Sequence, residues 1–180
     1  MFLNTPSPSE EVERVSLVFL DLLNRATRNE EIEGGFYRGL AREPLASDPH
    51  ETFVSVKHRV YVDPNTEEVG VQSRTEQPIT PYWRVPVISY RMYDTDLATA
   101  YLEETGWKID ISYGNDYTRT TKVAVNTILF HLQAEAGIVS RDREPYLVST
   151  VRNLMLPWLP NDIMTFSWIT GPGGNHARLF

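Results

Sequence analysis

The stretch WRVPVISYRMYDTDLATAYLEETGWKIDISY, residues 83–113, decides the fold because it holds the two clearest strands of the chain. Apolar and polar residues alternate along its last seven positions, as in a strand with one face on a core and the other in water. The predicted core face carries Trp107, Ile109, Ile111 and Tyr113, and the predicted solvent face carries Lys108, Asp110 and Ser112.

The first strand of this stretch is rich in β-branched and aromatic residues, which favour a half-buried pleated surface. Pro86 lies within it and has no N–H to donate to a neighbouring strand. A proline in a strand predicts either an edge position or a bulge at that point.

The segment between the two strands, residues 94–106, fits two structures. It is compatible with a short helix that begins near Asp94, or with a strand that turns through residues 103–106 into the Trp107 strand. We favour the hairpin, because alternating Leu97, Thr99 and Tyr101 directly precede a strong partner strand.

Length and composition restrict the class of protein. A chain of 180 residues predicts a single domain that buries about 70% of its unfolded surface without a disulfide or metal. It contains no cysteine, which excludes thiolate zinc sites and cysteine nucleophiles. No apolar run approaches the ~20 residues of a membrane span, and the N-terminus lacks the pattern of a signal peptide. We therefore expect a soluble protein that does not associate with membranes.

The net charge of −7 argues against direct, sequence-specific binding of nucleic acid. Of the 17 basic residues, 14 are arginine. Arginine is enriched at protein interfaces, where lysine is depleted. A general arginine bias of the genome explains the same skew equally well.

The N-terminal sequence predicts an amphipathic helix over residues 8–26. Ser7 suits the N-cap, Pro8 the first turn, and Glu10 the third helical position of a capping box. Apolar residues then recur at helical spacing. Most of this apolar face is expected to lie in the core.

The remaining pattern completes an α+β domain, a mostly antiparallel sheet flanked by two to three helices. Residues 1–180 are expected to form one domain with an irregular insertion at 29–51 and an extended tail at 170–180. The predicted elements are strands at 52–62 and 68–74 joined by a turn at 63–66, a proline-bounded link at 75–81, a helix at 117–136 closed by Gly137, a helix around 147–155, and a strand at 163–169.

No motif for catalysis, metal or cofactor binding is found. The four histidines are far apart in sequence, and we interpret His131 as packed or solvated rather than as a ligand. No Walker or dinucleotide loop occurs, and Gly171 to Gly174 follow a strand without a helix behind them. A cluster of Asp94, Asp96, Glu103 and Glu104 is the one candidate for carboxylate chemistry, and a solvated turn is the simpler interpretation. We predict a protein that is not an enzyme.

Aromatic and arginine side chains along the sheet are candidates for a subunit interface, with ordinary core packing as the alternative for the aromatics. The candidate interface residues are Arg59, Arg74, Tyr82, Trp83, Arg84, Tyr90, Arg91 and Tyr93.

The order of elements, with the phrases VPVISY and GWKIDISY, resembles the tail-terminator and neck (head-tail completion) proteins of tailed bacteriophages. The likeness covers roughly residues 8–169. It implies a structural virion protein that assembles in the host cytoplasm into a homo-oligomeric ring, usually six-fold. Its neighbours would be other virion proteins, such as the tail tube or the neck.

A second resemblance leads to another class. The leading helix, the phrase YWRVPVISY and a C-terminal segment with tryptophan are similar to autophagy-type E2-like conjugating enzymes. That chemistry needs a cysteine thiolate, so this chain would be a non-catalytic relative. A small α+β enzyme that uses carboxylates is the third alternative.

Overall fold

The computed structural model describes residues 8–44, 49–62, 69–72 and 82–180. Two helices pack on one face of a nine-stranded antiparallel sheet, and a three-stranded sheet lies beside them. The predicted α+β class is therefore confirmed. The elements in chain order are α1 (Pro8–Thr27), β1 (Gly35–Tyr37), β2 (Arg42–Glu43), β3 (His50–Val62), β4 (Val69–Gln72), β5 (Tyr82–Met92), β6 (Thr95–Glu103), β7 (Gly106–Ile111), α2 (Arg119–His131), β8 (Gly137–Arg141), β9 (Glu144–Ser149), β10 (Leu154–Pro157), β11 (Met164–Ile169) and β12 (His176–Leu179).

The large sheet has the strand order β12-β11-β7-β6-β5-β3-β1-β2, and β4 pairs with β3. The small sheet has the order β10-β9-β8. Every pair among the described strands is antiparallel, and five of the ten pairs are joined by connections of two to four residues. Helix α1 contacts β3 and β5, while α2 contacts β6 and β8. Helix α2 therefore lies between the two sheets.

A row of directly paired apolar residues crosses the centre of the large sheet. Paired residues of antiparallel strands project to the same face, so this row forms the floor on which the helices pack. The row is made of Ile88 in β5, Ala100 in β6, Ile109 in β7, Phe166 in β11 and Leu179 in β12. All but Leu179 are fully buried.

The stretch that suggested the fold forms three consecutive central strands. The hairpin predicted at residues 94–106 is confirmed, since β6 turns into β7. Strand β5 is not at an edge, because β3 and β6 flank it. The bulge predicted as the alternative lies opposite Pro86, where the register of β3 shifts between Val56 and His58.

The prediction that Lys108 faces solvent on β7 is wrong. The residue is only 6% exposed, because β11 and the C-terminus cover it. Its Nζ donates to Ser167 Oγ at 3.0 Å and lies 4.4 Å from the centroid of the Phe180 ring. The core face is as predicted, with Ile109, Ile111 and Tyr113 buried.

The helix predicted around residues 147–155 is wrong, because these residues form β9, a turn and β10. The apolar residues fit helical spacing, but burial alternates with period two at Pro145, Leu147 and Ser149. The four-residue turn that joins β9 to β10, residues 150–153, holds Asn153 at φ 49°. Asn-Gly or Asp-Gly is the usual sequence signal for a hairpin, and neither occurs between Leu147 and Met155.

Helix α2 is shorter than predicted and begins with a capping box in which the Thr118 and Thr121 side chains each accept from the other's backbone N–H. It ends at His131, and Gln133 and Glu135 then adopt positive φ. Gly137 therefore does not close this helix but begins β8.

Two segments predicted to lack regular structure contribute strands. Strands β1 and β2 lie within the irregular insertion, and the predicted C-terminal tail turns back to form β12. Helix α1 is confirmed from Pro8 onward. The predicted Ser7 cap, the turn at 63–66, the link at 75–81 and Arg74 lie outside the described residues.

Candidate functional site

The small sheet has two apolar faces, and only one of them packs on the domain. Ile138, Leu147 and Pro145 share the inner face and are buried. The alternate residues face away from the domain on the other side of the sheet. We name this surface the small-sheet outer face. Its apolar part consists of Val139, Tyr146, Val148, Met155 and Pro157. Arg141 and Glu144 flank it at one end, and Arg141 Nη1 lies 3.7 Å from Met155 Sδ.

The outer face stays largely open to solvent. Met155 and Pro157 are exposed, Val139 is exposed, and Tyr146 and Val148 are half-buried. A contiguous apolar surface of this kind marks a protein interaction site more often than a scattered apolar residue does. Sequence reasoning missed it because the segment was interpreted as a helix.

Two strand edges near this surface are already occupied by hydrogen bonds. Asn126 on α2 donates from Nδ2 to Ile138 O at 3.0 Å and accepts from Ile138 N at 2.8 Å, which covers the edge of β8. On β12, Ala177 N donates to Leu132 O at 2.8 Å, and Arg152 Nη1 donates to Leu179 O at 2.9 Å. These edges are protected against pairing with another chain.

The predicted interface residues fall into three groups. Arg59, Tyr82, Trp83 and Arg84 lie on paired positions of β3 and β5, and Arg74 lies outside the described residues. Tyr90 is fully buried under α1, so the structure excludes it from a surface between subunits. Arg91 and Tyr93 line a cleft of about 430 Å³ at the β5–β6 turn.

Arg91 is engaged within its own chain. Its Nε lies 2.7 Å from Asp96 Oδ1, and its guanidinium stacks 4.2 Å from the centroid of the Phe53 ring. The ion pair and the ring contact together hold the planar guanidinium of Arg91 in one orientation.

The four carboxylates considered for catalysis do not meet. Asp94 and Asp96 lie at the β5–β6 turn, while Glu103 and Glu104 lie at the β6–β7 turn. Strand β6 separates the two pairs, and its nine residues span about 26 Å at roughly 3.3 Å per residue. The described part of the chain contains no group of three Asp, Glu or His side chains arranged as metal ligands.

A cleft of about 770 Å³ opens where four segments meet. The first turn of α1 provides Glu10 and Glu11, the start of β3 provides His50, and the β5–β6 turn provides Tyr93. The fourth segment leads into α2. Gly114 begins it at φ +83°, where a Cβ atom would lie 2.6 Å from Thr95 Cγ2, so only glycine lets these segments approach so closely.

His50 lies at the base of this cleft and is only 5% exposed. Its Nδ1 is 2.9 Å from Tyr90 Oη, and the two rings meet edge to face. Burial lowers the pKa of His50 below 6.5, opposed by the charge of Glu11 and assisted by that of Arg14. Burial also raises the pKa of Tyr90 well above 10. Both side chains are therefore neutral at pH 7.

Stability should fall at acid pH because of His50. The unfolded chain takes up a proton at a pKa near 6.5, whereas folded His50 resists protonation to lower pH. Folding free energy is then lost as the pH falls through 6.5 toward the folded pKa. We expect the melting temperature to drop between about pH 7.5 and pH 5, and less steeply in His50→Gln. Equal slopes for both proteins would contradict a buried neutral histidine.

His131 behaves differently from His50. It lies between the two helices with its Nε2 2.9 Å from Glu13 Oε2, and most of its side chain is covered. This agrees with the prediction of a packed histidine. The sequence did not single out His50, although its position two residues before Thr52 and four before Val54 places it on the core face of β3.

Comparisons of the chain with protein-family models, with curated proteins and with solved structures find no match. Within the described ranges, neither helix has the length and apolar character needed to cross a membrane.

Proposed function

We propose that the chain is a structural subunit of a tailed-bacteriophage virion that self-associates into a ring at the tail end or at the neck. The small-sheet outer face carries this proposal. Five apolar residues on one face of a sheet are costly to expose to water, and a neighbouring subunit that covers them recovers that free energy.

A ring requires two different surfaces on each subunit that fit one another. The small sheet lies beside β12, since Arg152 in its β9–β10 turn bonds to Leu179. Strand β3 with Arg59 and strand β5 with Arg84 pair farther toward the other end of the large sheet. Surfaces at opposite ends of one subunit are what a head-to-tail ring uses.

The open face and the two protected edges together favour contact through side chains. Because Asn126 and Arg152 occupy the edges of β8 and β12, association by adding strands there would first have to break existing hydrogen bonds. Packing of the outer face against the next subunit needs no such change.

A charge placed on the outer face should abolish assembly. We expect the unaltered protein to form oligomers at micromolar concentration, and the double variant Val139→Glu with Met155→Glu to be monomeric with an unchanged circular dichroism spectrum. Burying two carboxylates in an apolar contact costs several kcal/mol, about enough to weaken association a hundredfold or more. Size-exclusion chromatography with light scattering measures the mass, and negative-stain microscopy shows whether the oligomer is a ring.

The matched control is Phe130→Glu with Ile163→Glu, which places the same charges at exposed apolar residues outside this face. It should assemble as the unaltered protein does. A protein that stays monomeric at high concentration, and that no phage tube or neck fragment recruits, would overturn the proposal.

A further inference from the structure

The cleft at His50 has the size of a ligand site. Its volume of about 770 Å³ lies within the roughly 300–1,000 Å³ of small-molecule sites. None of its lining residues belongs to the small-sheet outer face, so the cleft is independent of the proposed assembly surface.

His50 presents a hydrogen-bond donor to the cleft. Neutral Tyr90 is fully buried, and His50 Nδ1 is its hydroxyl's partner among the described residues. The hydroxyl must therefore donate its proton to Nδ1, which leaves the imidazole proton on Nε2. In the described part of the chain, His50 Nε2 has no hydrogen-bond partner. A ligand atom that accepts hydrogen bonds can therefore pair with the Nε2–H group.

Other residues that line the cleft present hydrogen-bond acceptors. Glu10, Glu11 and Asp116 line the cleft, and ionised carboxylates only accept hydrogen bonds. Glu11 Oε1 is buried without a hydrogen bond among the described residues, 3.6 Å from Arg14 Nη2. A phosphate would accept from His50 but be repelled by the carboxylates, and a metal ion would satisfy the carboxylates but not the imidazole N–H. A hydroxyl group both donates and accepts, so it suits both walls.

Tyr93 adds an apolar surface at the entrance. It is 73% exposed and adopts a φ of 54°, a left-handed conformation that is unfavourable for a bulky residue. Its backbone N–H bonds to Pro49 O at 2.6 Å, which fixes this turn against the start of β3. Strained residues that the surrounding structure holds in place are concentrated at ligand sites. An exposed aromatic ring here offers a flat face to the C–H groups of a ligand.

We propose that this cleft binds a neutral sugar unit. Adjacent hydroxyls of the sugar accept from His50 Nε2 and donate to the carboxylates of Glu11 and Asp116, and one face of its ring stacks on Tyr93. The chemistry is binding alone and involves no bond cleavage.

Nuclear magnetic resonance titration with glucose, galactose and N-acetylglucosamine tests the proposal, because weak binding of single sugars is still measurable. We expect saturable shifts for at least one sugar in the His50 ring and in the amides of Asn115 and Thr120. Tyr93→Gly should weaken binding about tenfold or more while its melting temperature does not fall, because glycine adopts positive φ freely.

Three controls make the result decisive. Phe130→Ala removes an exposed aromatic outside the cleft and should leave binding unchanged, as should the monomeric outer-face variant. His50→Gln loses the imidazole donor and should weaken binding as well. No shift with any of the sugars, an equal response to glycerol, a stronger response to inorganic phosphate, or undiminished binding by Tyr93→Gly would each overturn the proposal.

Discussion

Replacing Trp158 by alanine should lower the free energy of unfolding by about 3–5 kcal/mol, the cost of removing a large buried aromatic side chain. Trp158 is fully buried in a segment without regular structure, between β10 and β11. Its indole Nε1 donates to Asp162 O at 3.0 Å, and its ring lies 6.0 Å from that of Tyr113.

The same residue joins the two sheets through its backbone. Trp158 N donates to Pro145 O of the small sheet at 3.0 Å, and Tyr113 Oη, beyond the end of β7, donates to Trp158 O at 2.7 Å. A cavity at Trp158 would therefore loosen both sheets at once. Chemical denaturation followed by circular dichroism measures the change.

Leu159→Ala is the matched control, because the neighbouring side chain is 59% exposed. It should change stability by no more than about 0.5 kcal/mol. A similar loss for both variants would mean that Trp158 does not join the sheets.

Ile109→Ala should cost about 2–5 kcal/mol, as large-to-small changes in a core do. Ile109 stands in the middle of the apolar row across the large sheet, between Ala100 and Phe166. Strands on both sides hold its backbone, so the cavity collapses poorly and the cost falls in the upper part of the range.

Ile163→Ala makes the same chemical change at a residue that is 59% exposed just before β11. We expect it to be nearly neutral in urea unfolding. If Ile109→Ala were equally mild, the helices would not pack on the face of the sheet that carries Ile109.

Local sequence patterns were sufficient to predict the elements with the clearest apolar spacing. Helix α1 and the strands β5 to β7 follow from apolar spacing that the neighbouring residues repeat several times. Over a short stretch the apolar spacing led to a wrong prediction, because the five apolar residues from Leu147 to Met155 fit a helix and a β-hairpin equally well. The turn at residues 150–153, with Asn153 at positive φ, separates β9 from β10, and its sequence carries no Asn-Gly or Asp-Gly signal.

Burial of the second face of a strand depends on which distant segments cover it. Lys108 alternates with apolar residues as a solvent-facing residue does, yet β11 and Phe180 cover it from more than fifty positions away. Tyr90 was predicted as an interface candidate because it is aromatic. It lies in the core instead, because α1 packs over it.

The sequence by itself determined the α+β class, the amphipathic first helix and the central strands, because these depend on periodicities that lie within one element. Only the tertiary structure decided the small-sheet outer face and the cleft at His50. The outer face exists because α2 covers one side of the small sheet and leaves the other open. The cleft gathers Glu11, His50, Tyr93 and Asp116, which lie far apart along the chain, and their proximity depends on the pairing of strands and the packing of helices.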